Sequence, residues 1–540
     1  VNDAWPIPAL SFKYGDNVII TANNHLPDQH TSLHAHGLFQ NGTNWADGPQ
    51  MVTQCGIPPG SSFTYNFTVE QSGTYWIHSH TMGQFPDGLR TPFIIHAANE
   101  TYKYDAEYTV YFSDWYHKPM INVLYDEFTS YKNPTGAEPI PDSALINDSQ
   151  NVTFSVKPNQ TYRFRFVNVA AFAAFHVWIE GHDMDIIEVD GVDTEPMTVD
   201  GFVITTAQRY SVLVKTKNST ASNFALIGSM DEDMFDTVPA GLNNNVTGYL
   251  VYDSTAPLPV PALLQEYPNS NDFDLVPMAP MSVVDADTTF NQDILFDNLE
   301  DGQNYAFFNG KTYKPPKTPT LFTTIIAGKN VNTTLVSDAT IYGDYTNTHV
   351  LEHNKMIEMV LNNQDPGKHP FHLHGHNFQV IKRSEPDEGD YNPTNTGRII
   401  LESGCFIVMY DSRKAHGSSV LTTHQIEWHV MVGLVTTIVE APELLAQQYV
   451  PQESYDLCTA QGISTAGNAA GNLELLNLEG QNTPVGPLPS GFTGRGVAAM
   501  FFTVLSALIG LATIAWYGLH QLETDAVLVS DDAEITVVSH

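Results

Sequence analysis

Cysteine is scarce in this chain of 540 residues, which holds Cys55, Cys405 and Cys458 and no others. In an oxidising compartment three thiols allow one disulfide and leave one over. Basic side chains are also few, 23 Lys and Arg against 60 Asp and Glu, for a net charge of −37 and an isoelectric point near 4.6. Such a field repels nucleic acid and anionic lipid, which excludes nucleic acid as a partner, and it concentrates cations. A secretory leader is missing from the start, Val1-Asn2-Asp3-Ala4-Trp5, so a truncated N-terminus is expected. Lys and Arg are absent again beyond His520, and the positive-inside rule therefore gives the tail no orientation.

What the chain does have is apolar residues, 42% of the total, enough for sizeable cores in about three domains. Its rhythm is that of short strands split by Gly and Pro turns: Phe63 to Val69, Tyr75 to Ile77, Tyr108 to Phe112, Tyr162 to Val167 and Tyr210 to Val214. Spacing of this kind predicts β-sandwiches or barrels. A Pro-rich linker is expected over 254–290, and the small-residue run Ala466 to Gly471 and the segment Pro484 to Gly494 read as spacers. Val497 to Leu519 is a run of 23 residues without a charge, long enough to cross about 30 Å of hydrocarbon as one helix. Sequons at Asn41, Asn66, Asn99, Asn147, Asn151, Asn159, Asn218, Asn245 and Asn332 all precede it, which predicts a glycosylated ectodomain.

The chemistry concentrates in histidines. His369-Pro370-Phe371-His372-Leu373-His374-Gly375-His376 follows the apolar run Met359-Val360-Leu361, where a strand is expected to meet a loop. Side chains alternate along a strand, so His372 and His374 are expected on one side. One such pair is ordinary on a surface. The spacing recurs at His34-Ala35-His36 and His78-Ser79-His80, and three pairs from distant parts of one chain predict a histidine-rich transition-metal cluster of copper, zinc, iron or nickel.

These pairs, with Ile426-Glu427-Trp428-His429 after them, resemble the motifs of the three-domain multicopper oxidases, in the same order over nearly the whole chain. Asn133 to Pro141, the acidic loop ending at Asp236, Asn362 to Gly367 and the single C-terminal apolar run resemble the fungal plasma-membrane ferroxidases of iron uptake within that family. The resemblance implies an all-β fold of three cupredoxin-like sandwiches, at 1–96, 97–253 and 291–480, then a stalk over 481–496, a transmembrane helix over 497–519 and a cytoplasmic tail over 520–540. It implies type 1, type 2 and binuclear type 3 copper. His369 and His429 become type 1 ligands with Leu434 as the non-coordinating axial residue, His34 and His372 type 2 ligands, and His36, His78, His80 and His374 type 3 ligands. Glu138, Asp236 and Asp365 match carboxylates that bind iron, Asp47 and Glu427 match acids that help deliver protons to reduced oxygen, and Cys55 and Cys458 match a disulfide between the third domain and the first. Fe(II) and O2 are the implied substrates and a membrane iron permease the implied partner, with the ectodomain outside.

One motif departs from the family. Where its members read His-Cys-His before Ile-Glu-Trp-His, this chain has Thr423-His424-Gln425, so the type 1 thiolate and both flanking type 3 imidazoles are missing, and His424 regains one of those only with a one-residue shift. The mismatch is confined to residues 383–425, which points to a misassigned exon boundary more than to gradual drift. One other function follows from it, a metal-holding, membrane-tethered paralogue impaired in catalysis; within the enzyme class a laccase-like phenol oxidase is the alternative.

Overall fold

The computed structural model describes residues 1–218, 222–262, 264, 266–268, 270–280, 282–329, 334–383, 405–411, 427–487 and 494–531, with residues 405–411 and 521–531 described as backbone. They fall into two compact units, Val1–Val485 and Gly486–His540.

The larger unit is built from sheets that follow the chain. Near the start, a four-stranded sheet (Leu10–Lys13, Arg90–His96, Gly73–Ser79 and Leu33–His36, in spatial order) faces a pair made by Asn17–Asn23 and Ser62–Thr68. Ser62–Thr68 alternates as its sequence predicts, with Phe63, Tyr65 and Phe67 inward and Asn66 outward. Gly73–Ser79 is buried on both faces. Tyr75 and Ile77 join the core, while Trp76 and His78 share the other face. A six-stranded and a five-stranded sheet come next, with Phe112, Phe164, Phe166 and Phe175 fully buried between them. The last set is a five-stranded sheet around Thr288–Asn298 and Met356–Asn363, with the parallel pair His349–Leu351 and Ile438–Glu440 beside it.

Several expectations need correction. The stretch His369 to His376 is a loop between the strands Met356–Asn363 and Gln379–Arg383 and not the end of a strand, because Pro366 and Pro370 break the ladder. The run Ala466 to Gly471 is no spacer: Asn468 and Ala469 are buried, and Ala469 N–H donates to the Ile341 carbonyl at 3.0 Å. Small helices, Thr320–Lys329 and Gln452–Thr459 among them, interrupt the third set of sheets. Asn147 is an unsuitable glycan acceptor here, since its amide accepts from Tyr111 N–H at 2.8 Å and donates to the Thr109 carbonyl at 3.2 Å.

Two covalent or ionic ties hold the sets together. Cys55 and Cys458 form a disulfide across 403 positions of sequence, as the resemblance implied. Glu188, fully buried, accepts from Thr74 N–H at 2.6 Å and pairs with Arg163 at 2.6 Å and Arg165 at 3.7 Å. Burial pushes its carboxyl up, but the two guanidiniums outweigh that and hold it at about 2, below its ordinary 4.5. A folded-state pKa below the unfolded one contributes stability that is complete above pH 4.5 and lost as pH falls toward 2. Glu188→Gln is expected to destabilise the unit by about 3–5 kcal/mol and to remove that acid limb. Thermal melts from pH 2 to 6 check this, and an unchanged acid limb rejects it.

The smaller unit is the helix Gly494–Asp531. Its Gly494–His520 portion is the one helix among the described residues long and apolar enough to cross a membrane. The apolar stretch predicted over 497–519 lies within it, and the helix continues past the expected start of the tail at residue 520.

Candidate metal centre

The strand Leu33–His36 pairs antiparallel with Gly73–Ser79 so that His34 stands opposite His78 and His36 opposite Trp76. The loop from His369 to His376 brings the third pair onto the same place. Ring centroids lie 4.0 Å apart for His34 and His374, 3.8 Å for His36 and His372, 4.6 Å for His372 and His374, and 5.4 Å for His80 and His374. All six predicted cluster imidazoles thus converge. Potential ligand atoms of His34, His372 and His374, and of His34, His36 and His78, fall within 4.8 Å of one another.

Side chains behind the rings set their orientation. Asp47, which ends the turn Asn44–Ala46, lies 3.2 Å from His34 Nδ1 through Oδ1 and 2.9 Å from His374 Nδ1 through Oδ2. Its carbonyl also meets His34 Nδ1 at 2.7 Å, and His78 Nδ1 meets the Ser79 carbonyl at 2.8 Å. Such contacts to one nitrogen leave the other for a metal. Burial lowers His36, His78, His80 and His372 well below the usual imidazole value and His374 to about 4, so the rings are neutral, as ligands must be. Asp47 moves the other way. Burial raises it, but His374 and His34 outweigh burial and keep it a carboxylate.

His34 Nε2, His36 Nδ1, His78 Nε2 and His372 Nε2 are buried with no hydrogen-bond partner. Each orphaned atom costs about 1–3 kcal/mol. Four in one cage of neutral imidazole donors fit a transition metal that closes them.

The second predicted group lies apart from the cage. His369 and His429 have ring centroids 5.0 Å apart, with Phe296 against both at 5.3 and 4.6 Å and Leu434 fully buried. His429 sits on the short helix Glu427–Met431. Asp365 Oδ2 lies 3.0 Å from His369 Nε2, and Glu138 Oε1 lies 2.5 Å from His429 Nε2. Burial opposes ionisation of both carboxyls, but the imidazoles outweigh it and hold them below the ordinary range. Asp236 is exposed, and no hydrogen bond or ion pair joins it to Glu138 or Asp365 among the described residues. Its neighbours Asp231 and Asp233 meet Lys368 Nζ at 3.3 and 3.9 Å, which ties that acidic segment beside His369. Glu427 accepts from Gly83 N–H at 2.6 Å, just beyond His80, and burial raises it to about 7. His424 lies outside the described residues.

Sequence reasoning missed Phe296, which no motif marks, and Lys368, whose one signal is its place before His369. It also passed over Gly83, a backbone donor with no side-chain signature.

Three profiles described as multicopper oxidase match residues 1–100, 106–255 and 313–444. An iron transport multicopper oxidase of Epichloe festucae (strain E2368) is 46% identical over 541 residues, covering 96% of this chain and 86% of the relative. The chain belongs to the multicopper oxidase family. Among solved structures, that of Fet3p, a multicopper oxidase that functions in iron import, matches with a TM-score of 0.84 at 38% identity, covering 91% of this chain and 95% of that one. A laccase from Botrytis aclada matches with a TM-score of 0.74 at 25% identity over 85% of this chain and 87% of its own. The fold is accordingly the mostly-β, cupredoxin-like fold of the multicopper oxidases, the enzyme is an oxidoreductase, and copper is its cofactor. The histidine cage fits that metal. Among the described side chains no thiolate joins the His369/His429 pair, which a blue copper needs, and two of the chain's three cysteines are joined in the disulfide. Cys405 stands in register with Asn362 on the neighbouring strand and 24 positions before His429.

Proposed function

We propose that this multicopper oxidase is a ferroxidase: four Fe(II) and four protons with one O2 give four Fe(III) and two water molecules. One observation carries the reading. Glu138 and Asp365 place hard carboxylate oxygens at hydrogen-bond distance from the two imidazoles of the electron-accepting pair, so a cation bound to them is one side chain from each ring. Carboxylates bind ferric ion more tightly than ferrous, which favours loss of the electron. Asp236 is assigned as the third substrate carboxylate.

Copper held by His34 and His372, and by His36, His78, His80 and His374, supplies one-electron storage and oxygen reduction. The protein's own work lies around it. Asp47 orients His34 and His374 and carries negative charge into the cage, and Glu427, with its carboxyl near 7, holds a proton close to where oxygen is consumed. His369 and His429, with Leu434 fully buried and its N–H on the His429 carbonyl at 2.9 Å, are assigned to electron uptake from the substrate. Three cupredoxin-like domains at 1–96, 97–253 and 291–480 carry these groups. The sequons and the apolar helix support a single-pass plasma-membrane protein with its ectodomain outside, passing Fe(III) to an iron permease.

Glu138→Ala is expected to lower kcat/KM for ferrous ion about 10- to 100-fold while oxidation of a phenol continues. Parallel steady-state assays of both substrates check it, and an equal loss on both favours the laccase-like reading. The impaired-paralogue reading rests on Thr423-His424-Gln425 and is tested by restoring that motif.

A further inference from the structure

The roles assigned so far leave one buried carboxylate unused. Glu440, on the strand Ile438–Glu440, has no exposed surface, and its Oε2 lies 3.0 Å from Nε2 of His376. A carboxylate removed from water in this way is retained where it is paired. His376 also reaches back along its own loop: its Nδ1 meets the carbonyl of His374 at 3.0 Å. Between the two residues Gly375 takes a φ of 74°, a left-handed turn that costs glycine little.

These contacts act on a stretch that has no ladder of its own. His369 to His376 crosses from one strand to the next as a loop, yet it must hold His372 and His374 against His34 and His36 to within a fraction of an ångström for metal binding. On the cage side, Asp47 grips the His374 ring at 2.9 Å. On the far side, Glu440 is supported by a parallel strand pair, Leu351 opposite Glu440.

The geometry points to the Glu440–His376 pair as the outer anchor of this ligand arm. Glu440 faces the His376 ring as its ion-pair partner at 3.0 Å, and the ring meets the His374 carbonyl at 3.0 Å. Together they fix the pitch at which His372 and His374 enter the cage. Glu440 is a positioning residue for copper and not a ligand, and the same holds for His376. The inference rests on the assignment of His374 to the cluster made above.

The test uses the full chain in detergent, loaded with copper and dialysed against a competing chelator. Copper content and the paramagnetic resonance spectrum are read for Glu440→Gln, for the double variant His376→Gln/Glu440→Gln and for His374→Ala. The expected result is copper retention weakened about 10- to 100-fold in Glu440→Gln, with changed hyperfine splitting. If the single variant does not fold, the double variant, which leaves no unpaired buried charge, is expected to fold and to show the same loss. Unchanged retention and spectrum in the folded variant, with loss in His374→Ala, overturn the anchor and leave the ligand assignment standing. Unchanged retention in all three overturns both. A pair that served packing alone would lower the melting midpoint of the copper-free protein and leave affinity and spectrum as they were.

Discussion

Replacing Thr423-His424-Gln425 with His-Cys-His turns the copper-loaded protein intensely blue and raises ferrous oxidation above that of the unmodified chain, within the ordinary enzymatic range of roughly 1–10³ s−1. The reasoning is chemical. His369 and His429 are already brought together, ring centroids 5.0 Å apart, with Leu434 buried beside them and a carboxylate bonded to each ring. What the pair lacks is a thiolate, the ligand that makes a copper site blue and lets it accept an electron rapidly. With Cys55 and Cys458 joined, the chain as written offers Cys405 alone. The triple variant supplies the missing sulfur and two imidazoles at the positions where the family carries them. Optical spectra and oxygen uptake with ferrous ion are the measurements. An unmodified chain that is already blue, or a triple variant that stays colourless while binding copper, refutes the thiolate argument.

Asp47→Ala is the second large effect. This carboxylate meets His34 through one oxygen and His374 through the other, so a single residue orients imidazoles from two remote segments and brings their negative counter-charge. Its loss removes both contacts and, with them, the acid proposed to help protons reach reduced oxygen. General acid–base assistance is worth about 10²- to 10⁴-fold, and reoxidation by O2 of the chemically reduced protein is expected to slow by that much. Stopped-flow reoxidation isolates this step from substrate oxidation, and it is run in the His-Cys-His variant, which carries the two imidazoles that positions 423 and 425 lack. An Asp47→Ala protein that retains its copper and reoxidises at the rate of its Asp47 parent would falsify the assignment.

Legibility followed local physics. The pairs His34/His36 and His78/His80 could be read because alternation on a strand sends every second side chain to one face, and Leu33–His36 and Gly73–Ser79 do hold His34 opposite His78. The third pair was read for the wrong local reason, since His372 and His374 meet on a loop and not on a strand. Their convergence comes instead from anchors far away in sequence, Asp47 at one side and Glu440 at the other. Contacts of that kind carry no periodicity. Asp47 was reached by resemblance, and Glu440 was not reached at all. The Glu188–Arg163–Arg165 group was hidden for a related reason. On a strand such as Thr161–Asn168, alternating Arg and Phe reads as one wet face and one dry face, but here both faces are covered. Asp236 shows the converse, a residue that matches a motif and yet stands exposed, with no hydrogen bond or ion pair to Glu138 or Asp365 among the described residues.

The disulfide between Cys55 and Cys458 closes most of the larger unit into a covalent ring. A protease that nicks the Pro-rich segment 254–290 opens the ring without releasing either piece. On a gel run without reductant the nicked ectodomain travels as one species, and reductant separates it into two. The chain can therefore be cut once in that segment and still keep the first and last groups of histidines tethered to each other.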